Sequence, residues 1–226
     1  MSKRALIAAI CAAPFPWSIR RLVLKAVCGF QIEKTAYVSR WSLIMPRRLE
    51  MGPGSFIGSC TLCKGLELLR IDDFGRIGAL NWITAFPLGT KSGHFELDPE
   101  RKPRLIVERH AAITNRHLID CTDEVVLGAF STFAGFRSQI LTHSIDLNAA
   151  RQRCKPVRIG HHCFVGTACV CLGGSFLPDN SVLGAHSLLN KEHDKEGYLY
   201  GGVPAKPIMP VNREGEYFLR TTGFVT

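Results

Sequence analysis

Six apolar residues recur at intervals of six: Ile159, Val165, Cys171, Leu177, Leu183 and Leu189. The chain is 46% apolar, so a fixed phase would do this by chance about once in a hundred. A second register follows four residues behind, at Cys163, Cys169, Ser175, Ser181 and Ser187, and every one is small. Glycine follows the apolar position at Gly160, Gly166 and Gly184. The pattern fits a chain that makes one short strand and one turn per hexad. The apolar residue fills an interior, the small residue fits a tight corner, and glycine supplies the backbone angles of the turn. Three hexads close a triangular coil of about 18 residues, and successive coils stack about 4.8 Å apart.

The same period runs more faintly upstream. Ile57–Gly58 opens a hexad whose next apolar position is Cys63; Ile71, Ile77 and Ile83 form a set, and Val107, Ile113, Ile119 and Val125 another. The phase then slips by two to Leu127–Gly128 and Phe133. The predicted fold is all-β, a left-handed parallel β-helix, such prisms being an exception to the right-handed crossover rule. Two stretches lack the period: "FPLGTKSGHFELDPERKPR" at 86–104 and "SIDLNAARQRCKP" at 144–156. Both read as loops on a rigid scaffold, where function often resides. The organisation expected is a helical segment over 1–30, the prism over 31–208 with those two loops, and a tail over 209–226.

The N-terminal segment is amphipathic. Residues 3–29 read as one or two helices broken near Pro14–Pro16, with Ile19, Leu22, Val23, Ala26 and Val27 at helical spacing and Arg20, Arg21 and Lys25 on the other side. Packing of the apolar stripe on the prism is expected, and lying on an acidic membrane surface is the alternative. The start "MSKRALIAAICAAPFP" resembles a short signal peptide, but Pro14 would hinder cleavage after Ala13. No run of 18 apolar residues exists to span a bilayer. The expected location is cytoplasmic, with or without membrane association. Nine cysteines is an odd number without framework spacing, which points to free thiols in a reducing compartment. In "HHCFVGTACVC" the repeat places Cys171 in an apolar slot and Cys163 and Cys169 in corners, where buried thiols act as small hydrophobes. A zinc site needs converging ligands, so no metal is expected. A net charge of +9, from 28 Lys and Arg against 19 Asp and Glu, favours anionic partners. No recognition motif accompanies it, so nucleic acid is not expected.

Residues 127–208 resemble the hexapeptide-repeat acyltransferases. The marks are "ILTHSIDL", "PVRIGHHCFVG", "VLGAHSLLNKE" and "YGGVPAKPI", in that order. The branch they are most similar to acetylates sugars, as in colanic-acid and capsule assembly, and is akin to the maltose and galactoside acetyltransferases. The resemblance implies a homotrimer of prisms with acetyl-CoA, or another acyl-CoA, bound between neighbours, and no metal. It implies His143 as catalytic base. It also places the cofactor on Thr167, on Ala185 one full turn later, on Asn190 and Lys191 at the next turn, and on Lys206. Three departures stand out: Phe164–Val165 where Trp-Ile is common, Gly173–Gly174–Ser175–Phe176 where Pro-Gly-Val is usual, and His186 for a glycine.

A neutral imidazole suits the implied chemistry. It can take a proton from a hydroxyl or amine as that group attacks a thioester, then return one to the leaving thiolate. Asp146 or a backbone carbonyl would orient the ring. His161, His162 and His186 read as turn or surface residues, and His110 and His117 stay unassigned. The basic cluster Arg151, Arg153, Lys155 and Arg158 is either a solvated loop or a seat for an anionic acceptor or CoA phosphate. Two rival functions use the same prism. One is a metal hydratase like the γ-class carbonic anhydrases, for which His143 has no convincing second and third histidine. The other is a non-catalytic solenoid scaffold.

Overall fold

The computed structural model describes residues 14–223 and 225. The expected helix over 3–13 and the signal-peptide alternative lie outside the described residues. The chain is a left-handed parallel β-helix of three sheets, two of seven strands and one of nine. The first sheet runs from Gln31–Ile32 to Phe176–Leu177, the second from Tyr37–Val38 to Lys206–Pro210, and the third from Leu43–Met45 to Leu188–Leu189. All pairing within the prism is parallel except at the last strand, Lys206–Pro210, which turns back antiparallel on Tyr198–Gly201.

The six-step series is the core. Ile159, Val165, Cys171, Leu177, Leu183 and Leu189 are each 0–2% exposed. Ile57, Cys63, Ile71, Ile77, Ile83, Val107, Ile113, Ile119, Val125, Leu127 and Phe133 are buried with them. The final coils advance by 18 residues, as in Val165 against Leu183, whereas Ile113 opposes Phe133, an advance of 20. Most of the phase slip arises at one corner. Between the first and second sheets every turn is four residues: 33–36, 52–55, 72–75, 108–111, 128–131, 160–163 and 178–181. Between the second and third sheets it is four, except for five at 134–138. Between the third and first sheets it varies: 46–47, 65–67, 85–103, 121–124, 142–156 and 173–175.

Glycine's role at the regular corners differs from the sequence expectation. Gly160, Gly166 and Gly184 do not have positive φ; the left-handed residues are His162, Ala168 and His186, two places later. Each of these donates its backbone N–H to a turn carbonyl of the preceding coil: His162 to Ala129 at 2.9 Å, Ala168 to Phe136 at 3.1 Å, His186 to Thr167 at 3.0 Å. That bond offsets the steric cost of the left-handed conformation. The glycines are needed for contact between coils. A Cβ on Gly128 would lie 2.5 Å from Gly160 O, and one on Gly166 would lie 2.7 Å from Ala185 N.

Helix α1, Trp17–Cys28, caps the N-terminal end of the prism and closes on Gly29 in the left-handed conformation. Its orientation reverses the expected one. Arg20 and Leu24 are buried, while Ile19, Leu22 and Val27 are 44%, 61% and 48% exposed. The first coil's open edge presents unpaired carbonyls, which an apolar stripe cannot satisfy. Arg20 donates to Val38 O and Ser39 O, both at 3.2 Å. Arg21 and Lys25 reach Ile32 O, and the Trp17 indole N–H reaches Ala36 O at 2.8 Å. At the other end the tail folds back along the second sheet. A short helix α2, Glu216–Leu219, sets Tyr217 edge-on to Phe164, and its hydroxyl donates to Cys163 O at 2.8 Å.

Candidate active site

The variable corner brings three chain segments together. Asp120 ends the strand Leu118–Asp120 and pairs with Leu141 of the next coil. The chain leaves that coil through Thr142 and enters a β-hairpin of His143–Asp146 against Arg151–Cys154. Asp120 is 6% exposed, so its charge must be met by donors. Its Oδ1 accepts from the Thr122 hydroxyl at 2.7 Å and the Thr122 amide at 3.3 Å. Its Oδ2 accepts from the Thr142 amide at 3.0 Å, the Thr142 hydroxyl at 2.5 Å and His143 Nδ1 at 2.8 Å.

This contact fixes the state of His143. An ionised carboxylate can only accept, so Nδ1 carries the proton and Nε2 is the free base of the neutral ring. The hydrogen bond to Asp120 raises the imidazole above its ordinary range, against the opposing effect of burial. Burial works to raise the Asp120 carboxyl, but the hydrogen bonds from His143, Thr142 and Thr122 outweigh it and hold the group below its ordinary value. The His143 side chain is 41% exposed, open enough to meet a substrate. Asp146, one of the orienting groups considered from sequence, instead accepts the Asn148 and Ala149 amides in the hairpin turn. Nothing local marked Asp120: it lies 23 residues from His143, and only the stacking of coils makes them neighbours.

The two excursions wall the site. Phe95, in 85–103, meets the His143 ring edge-on at 5.8 Å. Arg101 donates to Phe86 O, Thr122 O and Pro87 O while its guanidinium lies over the Phe86 and Phe95 rings. Asp98 joins the excursions, accepting from Arg153 Nε at 3.0 Å and from the Cys154 amide at 3.0 Å. The basic cluster is therefore largely neutralised: Arg153 pairs with Asp98, Arg151 with Glu96 and Arg158 with Glu124. Three of its four cations already have carboxylate partners, with which an anionic ligand would have to compete.

The five cofactor positions inferred from sequence fall in three places. Asn190 and Lys191 follow the last strand of the third sheet, on the same corner as His143. Thr167 and Ala185 stack at the opposite edge of that face, and Thr167 uses its hydroxyl on Phe136, donating to its carbonyl at 2.9 Å. Lys206 stands exposed on the antiparallel strand. His117 is buried, bonded to Thr114 and to the Ser138 amide, and burial pushes it down to about 4. His110 and His162 join Phe74 and Phe130 in a stack of rings 4.8–5.0 Å apart at the first corner. A groove of about 580 Å³ lies there, lined by Asp72, Asp73 and Glu108 together with Arg109, His161 and His162. Burial raises the Cys63 and Cys163 thiols to about 12. Among the described residues no group of three His, Cys, Asp or Glu is placed to hold a metal, and no helix is long and apolar enough to cross a membrane.

No protein-family model matches the chain, and no curated protein does. Solved structures do match. The chain is similar to the polysialic acid O-acetyltransferase OatWY at 18% identity and a TM-score of 0.58, over 80% of this chain and 84% of that one. It is also similar to a hexapeptide-repeat acetyltransferase from Vibrio cholerae at 15% identity and a TM-score of 0.45, over 93% and 92%. At these identities the likeness is one of fold.

Proposed function

We propose that the protein is an acyl-CoA-dependent acyltransferase that acetylates a sugar hydroxyl, or amine, with His143 as general base. The observation that carries the proposal is the Asp120–His143 pair. A buried carboxylate fixes the imidazole tautomer, and the pair sits where both long excursions leave the prism. Nε2 takes the acceptor's proton as its oxygen or nitrogen attacks the thioester carbonyl. The C–S bond then breaks, and the proton passes to the departing CoA thiolate. Asp120 stabilises the imidazolium formed on the way, with no covalent enzyme intermediate. OatWY, a polysialic acid O-acetyltransferase, is a precedent for this reaction on a similar fold.

The acting unit in this reading is a homotrimer joined through the third sheet. That face carries an outward column of Leu43, Leu62, Trp82, Leu118, Gln139, Val170 and Leu188, apolar except for Gln139, with Trp82 and Leu118 at 53% and 42% exposure. The first sheet shows Arg48, Glu50, Arg70, Arg104 and Arg158, and the second is partly covered by the tail. Thr167 and Ala185 of one protomer would then reach the pantetheine arm at a neighbour's His143. Lys191 and Lys206 would meet the phosphates as mobile point charges, with Asn190 beside Lys191 as a neutral hydrogen-bond donor. Acetyl-CoA as donor places the protein in the cytoplasm. The test is release of free thiol from acetyl-CoA with a panel of sugars and nucleotide sugars, together with light scattering. No thiol release with any acceptor, or a monomer at micromolar concentration, would sink the proposal.

A further inference from the structure

The cap on the prism's end leaves a helix face without a partner. On α1, Trp17, Arg20, Leu24 and Cys28 point at the first coil. The opposite side is mainly apolar: Phe15 just before the helix, then Ile19, Leu22 and Ala26, flanked by Val23 and Val27, with Ser18 the one polar residue among them. Phe15, Ile19, Leu22 and Val27 are 44–61% exposed. We propose that this face lies in the interfacial region of an anionic lipid bilayer, with the stripe at the acyl boundary and the basic side chains at headgroup level.

Charge and sequence context both favour lipid as the occupant. With Arg20 buried and Arg21 bonded to Ile32 O, residues 14–41 still expose Lys25, Lys34 and Arg40 against one acidic side chain, Glu33. Lys25 lies along one margin of the stripe, and Lys3 and Arg4 precede it in sequence. Folding the preceding chain over the stripe would not hide apolar surface from water. Ala5 to Ala13, "ALIAAICAA", has no charged residue and no polar face to turn outward. It would replace one apolar surface with another, whereas a bilayer accepts both. The inference does not depend on the acyltransferase reading, because its measurement needs no turnover.

The test is flotation of the full chain with vesicles of phosphatidylcholine and phosphatidylglycerol, and with phosphatidylcholine alone. The wild-type protein should float with the anionic vesicles and less with the neutral ones. Ile19→Glu/Leu22→Glu should weaken that binding at least about tenfold and leave the melting temperature and molar mass unchanged. Leu219→Glu, exposed on the tail, should bind like wild type. Wild-type protein that stays unbound, or a double variant that floats as well, overturns the proposal. So does a double variant that changes mass, which would mark an interface between copies. A large fall in melting temperature would show that the chain itself covers the stripe and would equally overturn it.

Discussion

One corner of the prism is invariant, a second departs once at 134–138, and the third varies throughout. At the first, seven successive turns use four residues each; at the third, turns range from 46–47 to 85–103. The first two corners hold stacked left-handed residues, each bonded to the coil below, and glycines that leave no room for a Cβ. The single added residue, in 134–138, leaves Arg137 left-handed and bonded to Arg116 O; two added residues would break the column of contacts. The third corner has no such column, so chain can leave and return without disturbing the core, and the Asp120–His143 pair lies there. The lesson is one of division: rigidity at two edges lets the third hold a site built from non-repeating sequence.

Inserting two glycines is the sharpest way to break the comparison. Placed between His161 and His162 the insertion should prevent cooperative folding. Placed between Asn148 and Ala149, at the exposed hairpin tip, it should cost about 1 kcal/mol or less, as read by thermal melts. Next, His143→Asn should lower turnover by about 10²–10⁴, roughly 3–5 kcal/mol of barrier, while coenzyme A affinity by calorimetry and the melting temperature stay near wild type. A wild-type rate would remove the proposed mechanism at its centre.

Asp120→Asn is expected to be comparably severe and more informative. Turnover should fall by up to about 10⁴-fold, because the amide can donate to Nδ1 and favour the wrong tautomer of the imidazole. The rising limb of the pH–rate profile should move to lower pH, because the bond that raises His143 is weakened. The same pair makes a stability prediction. His143, raised, contributes stability fully present below about 6.5 and lost as pH rises through its higher folded value. Asp120, lowered, contributes stability present above about 3.8 and lost as pH falls through its lower folded value. Chemical denaturation across pH should show both losses in the wild type and neither in Asp120→Asn. The smallest effect is at a regular corner: Ala168→Gly should stabilise by about 0.5–1 kcal/mol, since glycine adopts φ of 54° without strain. No gain would mean that glycine's larger loss of backbone freedom on folding cancels the relief of strain.

Legibility in the sequence followed the same division. From Ile159 to Leu189 the corners are short and even, so the period could be read directly and Cys171 could be assigned to the core rather than to a metal. Upstream, extra residues at the third corner shifted the phase, as between Val125 and Leu127. His143 could be singled out as a candidate from its motif. Asp120 was not, because a carboxylate one step after the core residue Ile119 looks like any strand end until the next coil is laid on it. The amphipathic pattern of α1 was legible, but which side faced inward was not. The open edge of the first coil needed hydrogen-bond donors more than it needed apolar cover, and Arg20, Arg21 and Lys25 supplied them.

The constant rise of the coils makes the molecule a ruler. Four steps separate Leu43–Met45 in the capped coil from Gln139–Leu141, which leads into His143. At about 4.8 Å per step, the imidazole stands about 19 Å from the end that α1 closes, and the width of α1 adds about 10 Å to its outer face. With α1 resting on lipid, an acceptor anchored in the same bilayer would offer His143 only the group that reaches that height. Regiochemistry on a lipid-borne glycan would then be set by the number of coils beneath the histidine as much as by the walls around it.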